Sequence, residues 1–328
     1  MPTITDNPPS YVKEDLAQLR EQLDKLPSKA VDQNLIIATW NIRCFGDLTE
    51  KWESDENDSP KRDLQSLLCI AEIVKRFDVI AIQEVRANIK ALRHLLKVLG
   101  PEWSLLMTDE TKGYRGNGER LVFIFDTRKV TLSGLACELV IPDDPRDPRK
   151  YKLKEQFART PYAVGFKSAN KTFILVTLHA YYGKATERRE AELKEIARWL
   201  KEWALDENSW DHSIIALGDF NIDRKGDKLY EAFTSTGLSS PPEMDKIPRS
   251  IYSVAGQADE EKFYDQMAWF KDIDGSDALS IKYKQCGGFD FQGKVLTNRN
   301  LTKNQLSWRI SDHLVLFAEF DVRELPEG

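Results

Sequence analysis

Seven apolar runs organise the chain: "LIIATWNI" from Leu35, "VIAIQEV" from Val79, "LVFIFD" from Leu121, "TFILVTLHA" from Thr172, "SIIALGDFN" from Ser213, "KFYDQMAWF" from Lys262 and "LVLFAEF" from Leu314. Several are apolar at consecutive positions, which suits strands buried on both faces. Between them lie the helical patterns "RDLQSLLCIAEIVKRF", "IKALRHLLKVL" and "ERREAELKEIARWLKEWAL". Strands buried on both faces need covering layers, and helices alternating with them supply those layers, so the order predicts an α/β layered fold. Residues 31–328 read as a single domain, preceded by an appendage over residues 1–30. In the appendage Leu16, Leu19, Leu23 and Leu26 form one stripe of an amphipathic helix that Pro27 ends. The stripe is expected to dock on the domain, with a dimer contact as the alternative and a monomer as the expected state. The Pro-rich, charged stretches "VIPDDPRDPRKYKLKEQ" and "LSSPPEMDKIPRS" predict surface loops.

Composition excludes several classes. With 41% hydrophobic and 30% charged residues the chain is that of an ordinary globular protein. No stretch approaches the roughly 18 unbroken apolar residues of a membrane span, so no membrane partner is expected. The opening "MPTITDNPPSYVKEDL" lacks the regions of a signal peptide. Localisation stays open on this ground, with the cytoplasm favoured over an exported mature form. Cys44, Cys69, Cys137 and Cys286 are too scattered for a CxxC metal site and are expected to be buried thiols. A net charge of −6 argues against a uniformly positive surface, although a local basic cluster still decides what enters a cleft.

Polar residues gather where the apolar runs end: Asn41, Glu84, His179, Asp219 and Asn221, with Asp312 and His313 at the entrance to the last run. Each has an ordinary explanation as a turn former or cap. Together they mark a site, because α/β folds assemble sites at strand ends. Oxygen donors such as Asn41, Glu84 and Asp312 suit Mg2+, which borrows one or two carboxylates and keeps several waters. Zinc is disfavoured by the absence of an HExxH or a close Cys/His grouping. His179 and His313 are candidate acids or bases near neutral pH. His94 and His212 read as structural or surface residues.

The motifs "WNIRCFG", "IQEVR", "GER", "ART", "TLHA", "GDFN", "YDQ" and "SDH" occur in this order over about residues 35–320, and the chain thereby resembles the endonuclease/exonuclease/phosphatase superfamily, closest to its deoxyribonuclease I-like branch. The resemblance implies a four-layer α/β/β/α sandwich of two mainly antiparallel sheets flanked by helices. It further implies that Asn41, Glu84 and Asp312 hold the metal, that His179 pairs with Glu119 and His313 with Asp265, and that Asp219 and Asn221 position water and phosphate. Arg159 matches a phosphate-contacting arginine, and Arg43 and Arg86 match arginines that approach the DNA minor groove. Tyr114 and Arg115 of "KGYRGNGER" add an aromatic and basic loop beside Glu119.

The activity so implied is metal-dependent hydrolysis of phosphodiesters, with duplex DNA cut largely without sequence preference as the favoured substrate. RNA, damaged DNA and inositol or sphingolipid phosphates are the alternatives, and a non-catalytic binding protein on the same fold is the remote one. Mg2+ is the expected ion and Mn2+ the substitute. Calcium dependence is left open, because the disulfides and calcium loops of the secreted branch have no counterpart here. "CGGFDFQGKVLTNRNLTKNQLSW" is expected to form a substrate-shaping wall or a lid.

Overall fold

The computed structural model describes residues 1–113, 116–141, 156–183, 185–206, 211–253 and 262–323. In chain order its elements are α1 (Ser10–Leu23), β1 (Asn34–Phe45), α2 (Leu64–Val74), β2 (Val79–Arg86), α3 (Lys90–Leu99), β3 (Trp103–Met107), β4 (Glu119–Asp126), β5 (Thr131–Glu138), β6 (Tyr162–Ser168), β7 (Lys171–His179), α4 (Thr186–Leu205), β8 (Ile214–Ile222), α5 (Lys228–Thr234), β9 (Phe263–Ala268), β10 (Lys282–Phe289), α6 (Lys303–Arg309) and β11 (Val315–Asp321). One sheet runs β10-β11-β1-β2-β4-β3 and the other β5-β6-β7-β8-β9. Each contains one parallel pair, β1 with β2 and β7 with β8, and is otherwise antiparallel.

Three apolar layers hold the sandwich together. Between the sheets, Leu35, Ile37, Phe123 and Phe125 meet Phe166, Phe173, Leu175 and Leu217. Outside the first sheet, Ile36, Ala38 and Trp40 of β1 pack with α1, α2 and α3. Outside the second, Val176 and Ala216 pack with α4 and α5. Odd and even positions of β1 therefore serve different layers, which is the period-two alternation of a strand buried on both faces.

The leucine stripe of α1 is taken up within the chain. Val12, Leu16, Leu19 and Leu23 are buried in the outer layer with α2. The same helix carries a buried acid, Asp15, whose carboxylate accepts from the backbone N–H of Leu296 and of Thr297, both at 2.9 Å, from Thr297 Oγ1 at 2.7 Å and from Gln65 Nε2 at 2.9 Å. Those bonds fix the segment after β10 to the helical layer. The segment 286–308, expected to form a substrate-shaping wall or a lid, comprises the end of β10, a 3-10 turn at Thr297–Arg299 and α6.

All seven apolar runs are strands; β6 carries a shorter apolar run, Tyr162–Phe166, and β3, β5 and β10 carry none. β3, β5 and β10 are sheet edges. An edge strand pairs on one side only, and β5 and β10 leave many side chains exposed, so neither needs an unbroken apolar run. The thiols also differ from expectation. Cys69 is buried, but Cys44, Cys137 and Cys286 are half-buried, and all four are free.

Candidate active site

The inward-facing rows of five strands end in polar residues. In β1 the row Leu35, Ile37, Thr39 reaches Asn41; in β4, Phe125, Phe123, Leu121 reaches Glu119; in β7, Phe173, Leu175, Thr177 reaches His179; in β8, Ile215, Leu217 reaches Asp219; and in β9, Trp269, Met267 reaches Asp265. The site is thus the last layer of the inter-sheet core, with polar groups substituted for apolar ones. One layer deeper, Gln83 Nε2 donates to Thr39 Oγ1 at 3.1 Å and to Thr177 Oγ1 at 3.0 Å, tying the two sheets together.

Register completes the assembly. Asp219 pairs with His179 on β7 and with Asp265 on β9. Gly218, at φ +141°, lies so close to β7 that an added Cβ would fall 2.1 Å from the Leu178 carbonyl oxygen. Glu84 breaks the alternation. Ile80, Ile82 and Val85 face the helical layer, and a left-handed backbone at Glu84, φ +60°, with a register shift between Ile82 and Val85, turns the carboxylate towards Asn41.

Asp219 Oδ2 is the focus of the cluster. Asn41 Nδ2 donates to it at 2.9 Å, His179 Nε2 lies 3.5 Å away and His313 Nε2 3.9 Å away. Each imidazole is braced from behind by its own buried acid. His313 Nδ1 meets Asp265 Oδ2 at 2.7 Å, and His179 Nδ1 lies 2.9 Å from Glu119 Oε2. The second contact is oblique, with neither atom in an aligned hydrogen bond. Asn221 completes the strand end: its N–H donates to Asp219 Oδ1 at 2.9 Å and its Nδ2 to the Ala180 carbonyl at 2.7 Å.

These contacts set protonation. Burial opposes charge on Glu119, yet His179 and Arg159 outweigh it and hold the carboxyl at about 2. Burial likewise opposes charge on Asp219, and His313, His179 and the Asn41 hydrogen bond keep it below the usual carboxylate range. Burial would depress the His313 imidazolium, but the charges of Asp265 and Asp219 prevail and raise it well above an ordinary histidine. Asp265, pushed up by burial, depends on that imidazolium for its own charge.

Asn41 and Glu84 fit a hard cation. Asn41 Nδ2 is directed by two carboxylates, Asp219 and, at 3.2 Å, Glu84 Oε1, which leaves Asn41 Oδ1 buried with no hydrogen-bond partner. A buried acceptor without a partner is costly unless something else supplies positive charge. Among the described residues no three His, Cys, Asp or Glu side chains converge as a metal cage. One carboxylate and one amide oxygen suit an ion that keeps several waters.

The remaining candidates take varied positions. Asp312 sits 3.7 Å from Arg43 Nη1 and shares with His313, Tyr252, Lys262 and Tyr264 a cavity of about 310 Å3. Arg86 turns inward, to Glu84 Oε2 at 3.5 Å and Glu119 Oε1 at 3.4 Å, and donates to the Asn117 carbonyl at 2.8 Å. Arg159 is buried with Nε 2.7 Å from Glu119 Oε2. Tyr114 and Arg115 lie outside the described residues. His94 and His212 each bond a backbone carbonyl through Nδ1. Three supporting residues escaped sequence reasoning. Asn117 donates to Glu119 Oε1 at 2.9 Å, and Glu192, buried on α4, accepts from the N–H groups of Ala158 and Tyr181, next to Arg159 and near His179. Arg62 is fully buried and donates to the carbonyls of Arg43, Cys44, Arg309 and Ile310. Burial lowers its guanidinium to about 10. A buried Glu inside an amphipathic helix is the one signal of this kind that sequence offers.

This sandwich, with its polar inner end, has counterparts among known proteins. The Endonuclease/Exonuclease/phosphatase family model matches residues 38–313, and the chain belongs to that family. Enzymes of the family act on phosphoester bonds and generally depend on a divalent metal. Deoxyribonuclease-1 of Bos taurus is 28% identical over 197 residues, covering 58% of this chain, which spans 61% of that protein's length. Among solved structures, the Bacteroides thetaiotaomicron mannosyl-6-phosphatase superposes with a TM-score of 0.57 at 19% identity, covering 87% of this chain and 99% of that one. D. rerio TDP2 in complex with single strand DNA product superposes with a TM-score of 0.55 at 13% identity, covering 88% and 98%. At these identities the structural likenesses speak for the fold. Among the described residues no helix is long and apolar enough to cross a membrane.

Proposed function

We propose that the protein is a divalent-metal-dependent phosphodiesterase that cuts DNA, duplex DNA foremost, by attack of water on phosphorus. The observation that carries this reading is the approach of two imidazole Nε2 atoms to a single buried carboxylate oxygen, Asp219 Oδ2, each imidazole backed by its own acid. Such a cluster offers a base and two imidazole donors converging on one point.

Asn41 and Glu84 hold the cation in this proposal, with Asp312 as the third donor. A bound Mg2+ or Mn2+ supplies charge neutralisation at the phosphoryl and leaving oxygens. Asp219 takes a proton from water as its oxygen bonds to phosphorus, and Asn221 fixes the Asp219 carboxylate in position. The bond to the leaving sugar oxygen breaks with its electron pair on that oxygen, which is protonated by an imidazolium. His179 and His313 serve as the cationic donors to the phosphoryl and leaving oxygens, held in orientation by Glu119 and Asp265. Arg159 serves Glu119 and phosphate together, Arg86 balances Glu84 and Glu119, and Arg43 contacts the strand. Backbone and groove contacts of this kind read shape and charge rather than base identity.

Incubation of supercoiled plasmid with the protein in Mg2+, Mn2+ or EDTA tests the reading. Nicking is expected with either metal, none in EDTA, and a loss on the order of a hundredfold or more in His179→Ala and in His313→Ala. Folded, metal-supplied protein that leaves plasmid intact would overturn DNA as the substrate.

A further inference from the structure

Trp308 takes no part in the chemistry above, yet it is 41% exposed and lies against one of the strand-contacting arginines. The Arg43 guanidinium carbon sits 3.8 Å from the centre of the Trp308 ring. Arg43 Nη1 donates to Ser307 Oγ at 2.7 Å and lies 3.7 Å from Asp312 Oδ2. Three features within residues 307–312, a hydroxyl, an indole face and a carboxylate, therefore define a single position for this guanidinium.

The support beneath them is rigid. α6 begins in a capping box between Thr302 and Gln305, and its last carbonyls, Arg309 and Ile310, accept from Arg62, which also holds the carbonyls of Arg43 and Cys44. An exposed arginine normally samples many rotamers and loses that freedom on binding. Here the ring and the hydroxyl remove the freedom in advance, while the side chain stays a quarter exposed.

We propose that Trp308 is a positioning residue for substrate binding: by stacking on Arg43 it aims the guanidinium at the phosphate backbone of a nucleic-acid strand running past Asp312 and His313. The inference rests on the DNA reading. It concerns affinity rather than chemistry, because Trp308 acts through Arg43.

The test is a double-mutant cycle on plasmid cleavage with the full chain: wild type, Arg43→Ala, Trp308→Ala, the double variant and Trp308→Phe. The expected result is a KM for DNA raised about tenfold in Trp308→Ala, with kcat within about twofold and a salt dependence of KM shallower by about one unit of log–log slope. Trp308→Phe restores most of the affinity, because it keeps a ring. In the Arg43→Ala background the Trp308 change adds nothing. An unchanged KM in Trp308→Ala, or a penalty that adds in full to that of Arg43→Ala, would overturn the positioning role while leaving the DNA reading in place. Wild-type protein that hydrolyses bis(p-nitrophenyl) phosphate but not plasmid removes the DNA reading itself, and the inference with it.

Discussion

Ser311 Oγ donates to the Asn41 carbonyl at 2.6 Å and thereby joins the entrance of the last strand to the exit of the first. The same oxygen accepts from the N–H groups of Arg43 at 3.2 Å and His313 at 3.1 Å. One buried hydroxyl thus sets the backbone of a candidate metal donor, a candidate strand-contacting arginine and a candidate acid. Ser311→Ala leaves two N–H groups and a carbonyl without this partner. It is expected to cost roughly 1–3 kcal/mol in urea unfolding and to lower kcat by about tenfold to a hundredfold through misplacement of His313. Full activity with reduced stability would confine Ser311 to a structural role.

Arg62 does for the neighbouring turns what Ser311 does for the strand ends. Its guanidinium satisfies four carbonyls from the 43–44 and 309–310 turns. Arg62→Met keeps the stem but strands those acceptors in a fully buried site, and a loss of at least about 3 kcal/mol is expected. Arg62→Lys is expected to recover less than half of it, since an ammonium cannot reproduce the planar fork. Chemical denaturation of the three proteins decides the point.

Much of this was legible in the residues. The strands that hold Asn41, His179, Asp219 and Asp265 sit in the sandwich core and advertise themselves by apolar runs, and the parity of those runs points each of these side chains between the sheets. Glu84 breaks that parity, because its placement depends on a left-handed backbone that a Glu does not announce. Two edge strands were silent for a different reason: pairing on one side and leaving side chains exposed, β5 and β10 need no distinctive composition, whereas the edge strand β9 is buried and carries an apolar run. Arg62 and Gln83 were equally silent. Each acts through partners more than ten residues away, and no local pattern marks a polar residue that the fold will bury.

Glu84 offers the most direct test of the cation site. Glu84→Gln preserves size and an acceptor for the Cys44 N–H, now bonded at 2.9 Å, while removing the charge. Calorimetric titration with Mg2+ is expected to show affinity reduced at least about tenfold, with a matching rise in the Mg2+ needed for half-maximal cleavage. Unchanged affinity in a folded variant would move the ion away from Glu84.

Stability at acid pH turns on a carboxylate far from the site. Asp126, at the end of β4, is buried and held at about 2: burial works against its charge, and hydrogen bonds from Arg128 and Lys29 overcome it. Its carboxyl in the unfolded chain titrates near 3.8. A folded value below the unfolded one means that the contribution is fully present above about pH 4 and is lost as pH falls towards 2. The difference corresponds to about 2 kcal/mol. Asp126→Asn is therefore expected to be less stable than wild type by about that amount at pH 6, with the gap closing between pH 4 and pH 2. Urea unfolding of both proteins across that range checks it, and a gap that stays constant down to pH 2 would assign the loss to packing rather than to charge.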